Sequence, residues 1–247
     1  MLSIASASHH MYLPLSGASN VLITVEHGGI STPFPWTHTP DISPLTGTHW
    51  ASDLYIAPLA LSLAEHLNAP CVIAHFSRLL VDPNRAPSAP HFIPNQVVDS
   101  KHNIRFDRPT RGERRERIRR LYLPYHLAVD RVARHYNSVT ILSLHSFTDN
   151  YGGVSRIHEA GVLFNEDAAG ADTFLDSLRD QGVDARPNWP YSGHDGFIFS
   201  AETHARRHNI RHTVEIELRQ DRLLDPDFSS RSLSALSNAL TALSCRL

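Results

Sequence analysis

The stretch Val21-Leu22-Ile23-Thr24-Val25-Glu26-His27-Gly28-Gly29 decides how this chain is to be read. Its β-branched, apolar start is too short for a helix and stops at a pair of glycines, so it reads as a buried strand that ends in a loop. A glutamate and a histidine stand at that end. The same pattern returns downstream: 71–76 introduced by Pro70, 139–144 running into His145-Ser146, 162–164, and 213–218 carrying Glu215 and Glu217. Between these runs, apolar residues at helical spacing predict helices over about 52–66, 111–136, 171–181 (closed by Gly182), 200–208 and 229–243. Residues 28–48 and the proline-rich 86–101 read as loops, the second long enough to suggest a lid.

Strands that alternate with helices predict an α/β fold: a three-layer, mixed, mostly parallel sheet with helices on both faces, in one domain over 1–247. Apolar residues are 41% and charged residues 19% of the 247, ordinary for a globular chain, and the formal net charge is −2. That excludes a field able to recruit nucleic acid or an anionic membrane, so no such partner is expected. The arginine-rich segment 111–120 reads as a solvated helix face, because Glu113 and Glu116 interrupt it. Two cysteines, Cys71 and Cys245, are too few for a disulfide framework. With no apolar run near ~20 residues and no signal-peptide pattern at the start, a reducing cytoplasm is the expected location.

Histidine is the compositional anomaly, at 17 residues. It is the commonest metal ligand and general base. His9, His10, His204, His208 and His212 lie in polar surroundings and are expected to be solvated. His27 and His145 differ, because each ends a strand. In open α/β sheets ligands bind just outside the carboxyl ends of the strands. If the strands ending at Glu26-His27, at His145-Ser146 and carrying Glu215 and Glu217 are neighbours, two imidazoles and one or two carboxylates meet at one edge. That inventory suits a catalytic zinc site, which takes three nitrogen or oxygen ligands and leaves one position open.

Four segments in order resemble the N-formylglutamate amidohydrolase family: Val25-Glu26-His27-Gly28-Gly29; Ser77-Arg78-Leu79 with Val81-Asp82-Pro83-Asn84-Arg85; Ser143-Leu144-His145-Ser146-Phe147; and Glu215-Ile216-Glu217-Leu218-Arg219-Gln220-Asp221. That family is in turn similar to zinc carboxypeptidases. The resemblance implies a phosphorylase/hydrolase-like, zinc-exopeptidase-like fold and hydrolysis of the N-acyl bond of a small, acidic N-acylamino acid such as N-formylglutamate. It implies one zinc ion held by His27, His145 and a carboxylate. The carboxypeptidase pattern wants a glutamate three residues after the first histidine, where Ile30 stands, so the carboxylate comes from elsewhere. Asp53 is the choice, with a helix cap as its other reading, and Glu26 or Glu215 as the other carboxylates.

The resemblance makes Glu217 the general base and acid. Glu215, two residues earlier on the same side of the strand, either orients its partner or is a surface carboxylate on an edge strand. Asn84 and Arg85 are similar to the pair that holds a substrate carboxylate, a task suited to an arginine fork. Arg78 would hold a second carboxylate or stabilise the oxyanion, or else pair with Asp82. Arg219 would serve likewise, and Tyr191 lies on a loop near the substrate. Ser146 lacks the turn that exposes a serine nucleophile. The rivals are peptide hydrolysis by the same machinery and a binding protein that kept the fold without the metal. Oligomeric state is not legible.

Overall fold

The computed structural model describes residues 1–17, 19–37, 42–99 and 102–244; Lys101 and Cys245 lie outside them. In chain order its elements are β1 (Leu2–Ala5), β2 (His9–Leu13), β3 (Val21–Val25), α1 (Ile56–Leu67), β4 (Cys71–Ala74), the hairpin β5 (Gln96–Val98) and β6 (Asn103–Arg105), and α2 (Arg111–Arg117). Then follow α3 (Leu123–His135), β7 (Thr140–Phe147), the small pair β8 (Asn150–Tyr151) and β9 (Val154–Ser155), β10 (Ala160–Leu163), α4 (Ala168–Asp180), β11 (Ala185–Pro187), α5 (Phe199–His208), β12 (His212–Arg219) and α6 (Pro226–Ser244). Eight strands form one sheet in the order β1-β2-β4-β3-β7-β12-β10-β11. The central run β4-β3-β7-β12 is parallel throughout, while β1, β2 and β10 join antiparallel neighbours, so the sheet is mixed and mostly parallel with helices on both faces.

Side chains alternate across each strand, which divides the core in two. On one face Val21, Ile23, Leu142, Leu144, Val214 and Ile216 pack with residues of α1, α4 and α6 such as Leu63, Phe174 and Leu236. On the other, Leu22 and Ile141 pack with Tyr125 and Val129 of α3 and Ala201 of α5. This second face turns polar toward the carboxyl ends of the strands, where Ser143, His145, Glu215 and Glu217 are all buried. A run of buried polar groups at one end of an otherwise apolar sheet face is where a site belongs.

Four readings from sequence need correction. Residues 52–66 do not all enter the helix: α1 starts at Ile56 after Tyr55, a left-handed residue without a side-chain cap, so Asp53 is not a helix cap. The helix expected over 111–136 holds a π-helical turn at Ile118–Tyr122, after which Leu123-Pro124 opens α3. Arg117 in that segment is buried rather than solvated, with Nη1 donating to the Leu80 carbonyl at 3.1 Å. The first thirteen residues form the outer pair β1 and β2, in which half-buried His9 and His10 lie opposite Ala74 and Ile73 of β4. β1 is exposed along its whole length and β2 uniformly half-buried, so neither carries the alternation that one covered face would impose and no sequence period announced the pair.

Candidate active site

β3 stops at Val25 because the glycines that follow let the chain press against β4. A Cβ on Gly29 would lie 2.1 Å from the His75 carbonyl oxygen, so no larger residue fits while the loop keeps its course. Gly29→Ala is expected to lower stability by about 1–3 kcal/mol, the usual cost of overpacking. Denaturant unfolding checks this, and a wild-type midpoint would show that the loop backs away freely.

Turning the chain here brings His27 to the end of β7. The rings of His27 and His145 lie 4.7 Å apart at 74°. Asp53, carried in front of α1 and hydrogen-bonded through its N–H to the His27 carbonyl at 2.9 Å, stands between them. Its Oδ2 is 2.7 Å from His145 Nδ1 and 3.5 Å from His27 Nδ1. The outward nitrogens have partners of their own: His27 Nε2 meets Asp82 Oδ1 at 2.7 Å, and His145 Nε2 lies 3.1 Å from Ser143 Oγ, 3.3 Å from Glu26 Oε2 and 3.4 Å from Glu215 Oε2. Buried His27 Nδ1 has no hydrogen-bond partner among the described residues.

Glu26, Asp53, Asp82, Glu215 and Glu217 are all at least nine-tenths buried. Burial raises each of them, yet Asp53 is held far below the carboxylate range by the two imidazoles, and Asp82 likewise by Arg78 and His27. For Glu26, the contacts with His145 and Ser143 outweigh burial and bring it down to about 2. Glu215 is raised by burial, with Glu26 adding to the effect against the pull of His145. Burial also lifts Glu217 well above the usual range, against His145 and with help from the charges of Asp53 and Glu215. His145 is pushed up in spite of its burial, by Glu215, Asp53 and Glu26. An orphaned inward nitrogen, a second inward nitrogen and a carboxylate oxygen converging among buried carboxylates fit a divalent cation. Each imidazole also has a polar partner on its other nitrogen, as metal-binding histidines do.

A cavity of about 530 Å³ opens onto the cluster, with Glu217, Arg78, Arg85 and Tyr191 among its walls. Arg78 reaches Asp82 Oδ2 at 2.7 Å and Asp53 Oδ1 at 3.5 Å, so it pairs with Asp82 and lines the cavity at once. Arg85 has its guanidinium 4.2 Å above the Phe197 ring, and its nearest anion is Asp82 Oδ2 at 3.9 Å. Tyr191 stacks on the other partner of that wall, Phe197, at 4.7 Å, and accepts from Arg156 Nη2 at 3.2 Å.

Asn84 is less available than its motif implies. Its Nδ2 donates to the Phe197 carbonyl at 2.6 Å and to Glu215 Oε2 at 3.0 Å, while its Oδ1 accepts from Ser200 N–H at 3.0 Å. The amide therefore ties Glu215 to α5 and is engaged before any substrate arrives. Arg219 does not reach the cavity: Nε donates to Asp221 Oδ1 at 2.8 Å and Nη1 to the carbonyls of Arg156 and Ile157, both at 3.1 Å. Glu215 is not a surface carboxylate on an edge strand, because β12 lies between β7 and β10 and leaves it 1% exposed. Ile30, where the carboxypeptidase pattern has its glutamate, is 48% exposed. Ser146 Oγ donates to the Leu54 carbonyl at 2.8 Å.

Three contributors escaped the sequence reading. Ser143 had a signal, since period two puts it on the His145 side of β7. Asp82 as the partner of His27 had none, because the contact spans 55 positions. Phe197 had none either, being one aromatic in a loop. Of the stretch expected as a loop, residues within 91–98 wall the cavity, Val97 and Val98 of β5 among them, and Asp99 accepts from Trp50 Nε1 at 2.6 Å.

A mixed sheet that delivers imidazoles and carboxylates to a pocket at its carboxyl edge is the arrangement of an α/β enzyme. Residues 19–224 match the model of the N-formylglutamate amidohydrolase family, and the chain belongs to that family. The crystal structure of a gene product from Agrobacterium tumefaciens superposes with a TM-score of 0.82 at 26% identity, covering 97% of this chain and 96% of that one. The N-formylglutamate amidohydrolase of Ralstonia eutropha JMP134 shares the fold at a TM-score of 0.68 and 20% identity, over 98% and 97% of the two chains. No curated protein matches the chain significantly. Among the described residues no helix is long and apolar enough to cross a membrane.

Proposed function

We propose that this chain is a zinc-class, metal-dependent amidohydrolase that releases the acyl group from a small N-acylamino acid, N-formylglutamate being the named substrate of the Ralstonia relative. The observation that carries this reading is the convergence of His27 Nδ1, His145 Nδ1 and Asp53 Oδ2, with Asp53 2.7 and 3.5 Å from the two nitrogens. These three side chains would hold the ion, Asp53 supplying the carboxylate that Ile30 does not. When bound, such an ion provides Lewis acidity that polarises a carbonyl and lowers the pKa of water.

Glu217 then has the work of moving the proton. Its Oε2 is buried without a hydrogen-bond partner among the described residues, and desolvation makes its carboxylate a stronger base than an exposed one. It takes a proton from the attacking water as the water oxygen bonds to the carbonyl carbon. When the C–N bond breaks, Glu217 passes that proton to the departing nitrogen, leaving a carboxylic acid and a free amine. Arg78, anchored by Asp82, faces the cavity where negative charge develops on the carbonyl oxygen. Glu215, Glu26 and Ser143 hold His145 from behind.

Arg85 orients the substrate through its carboxylate. Its guanidinium is braced by Phe197 and lacks a close hydrogen-bonded anion, so a fork remains for the ligand. Arg85→Lys is expected to raise KM by roughly tenfold, one lost charge-assisted hydrogen bond, with a smaller change in kcat. Steady-state kinetics on an N-acylamino acid check this, and an unchanged KM would remove Arg85 from the pocket. A reducing cytoplasm suits a chain whose buried Cys71 is an unpaired thiol. The test of the whole reading is turnover of a panel of N-formyl and N-acetyl amino acids, acidic and apolar, before and after chelation. No chelator-sensitive release of amine from any of them would defeat it.

A further inference from the structure

Sequence reading left His204 and His208 as solvated surface histidines, and the structure overturns that. His204 is 1% exposed and both rings face Asp130 of α3. We propose that Asp130, His204 and His208 form a second binding site for a divalent transition-metal ion, between α3 and α5 and outside the cavity. His204 and His208 are four residues apart on α5, so one helix face presents both imidazoles, and α3 brings a carboxylate against them. Asp130 Oδ1 lies 2.8 Å from His204 Nδ1 and 2.8 Å from His208 Nε2. One ligand atom from each of the three lies within 4.8 Å of the others. Tetrahedral ligation at about 2.0–2.1 Å requires ligand atoms roughly 3.3 Å apart, so each imidazole nitrogen needs to back away from Asp130 Oδ1 by only about half an ångström.

The groups behind the triad hold its ligand atoms turned toward one another. His204 Nε2 is 2.8 Å from Nδ1 of buried His126, which fixes the ring so that Nδ1 turns to Asp130. Arg207 Nη1 donates to the other carboxylate oxygen, Oδ2, and so steadies Asp130 without occupying Oδ1. Metal sites have this second layer of partners. The alternative is an ion-pair cluster in which both imidazoles donate protons to Asp130 Oδ1. What favours the ion is the donor set: two imidazole nitrogens and one carboxylate oxygen within 4.8 Å of one another are ligands of zinc, nickel or copper rather than of calcium or magnesium. The His208 side chain is 12% exposed and that of Arg207 55%, which leaves a route for the ion and for a water as fourth ligand. An ion here would staple α3 to α5, whose Ser200 N–H holds Asn84 of the active site at 3.0 Å.

The test titrates metal-stripped protein with Zn²⁺ and with Co²⁺, and counts ions per chain by elemental analysis after equilibrium dialysis. If both sites exist, wild type binds two ions, and His208→Ala and His27→Ala each bind one. If the active-site reading fails and this one holds, His27→Ala matches wild type while His208→Ala still loses an ion. Thermal unfolding of His27→Ala should shift upward with Zn²⁺, since an ion that binds only the folded state stabilises it. Asp130→Asn is the second variant, and His27→Ala leaves the triad intact in case His208→Ala does not fold. The proposal is overturned if folded His208→Ala and Asp130→Asn hold as many ions as wild type, or if His27→Ala holds none.

Discussion

Glu217→Gln is expected to lower kcat by about 10²–10⁴ while the metal content stays at the wild-type level. Glutamine keeps the shape and the hydrogen bonds of glutamate but cannot accept a proton at neutral pH. The size of the effect follows from what surrounds Glu217: it is 5% exposed, and burial lifts its carboxyl well above the usual range. Glu215 lines the same cavity, but its Oε2 is already bonded to Asn84 Nδ2 at 3.0 Å and Ser143 Oγ at 3.3 Å. Turnover and elemental analysis on the two variants separate the assignments. Loss of metal together with turnover would make Glu217 a ligand. A mild Glu217→Gln beside a severe Glu215→Gln would move the base to Glu215. Full activity in both would defeat the hydrolytic mechanism.

His145→Ala is expected to weaken metal binding at the His27–Asp53 site by more than about 100-fold, and with it to abolish activity. The bound comes from the smaller change Asp82→Asn, which removes the charge behind His27 but no ligand and should cost about 10–100-fold in affinity. That ordering is specific to the proposed geometry: Asp82 Oδ1 touches His27 Nε2 at 2.7 Å, while Nδ1 faces Asp53. Metal titration by calorimetry reads both variants. Equal, small effects would mean that these imidazoles hold only each other and their carboxylates. Because Asp82 also binds Arg78 at 2.7 Å, Asp82→Asn should in addition lower kcat at saturating metal, a split that a purely structural role would not produce.

Much of this protein is written in local pattern. The run Val21–Val25 stops at two glycines, and the runs before His145 and around Glu215 read as strands, because period two and β-branching act within a few residues. The same locality put His27 and His145 at the carboxyl ends of strands and Glu215 and Glu217 on one side of another. Strand polarity said that imidazoles and carboxylates would meet at that edge if these strands were neighbours, and the sheet order makes them so.

Tertiary structure decided the rest, because each deciding contact joins positions far apart in the chain. Asp53 stands 92 positions from His145, and only the fold showed it between two rings instead of capping α1. The sheet order placed β12 inside the sheet, which turned Glu215 from a surface carboxylate into a buried brace. Arg219 shares a strand with Glu217, yet Asp221 and two carbonyls capture it before it reaches the cavity. Asn84 lies beside Arg85 in sequence, yet its amide is claimed by Glu215 and the Phe197 carbonyl. His204 and His208 looked like solvated residues because polarity along the chain does not say what a neighbouring helix brings; Asp130, 74 positions away, did. A short segment encodes its own conformation and which way its side chains point, whereas the partner each side chain meets depends on the packing of the whole chain.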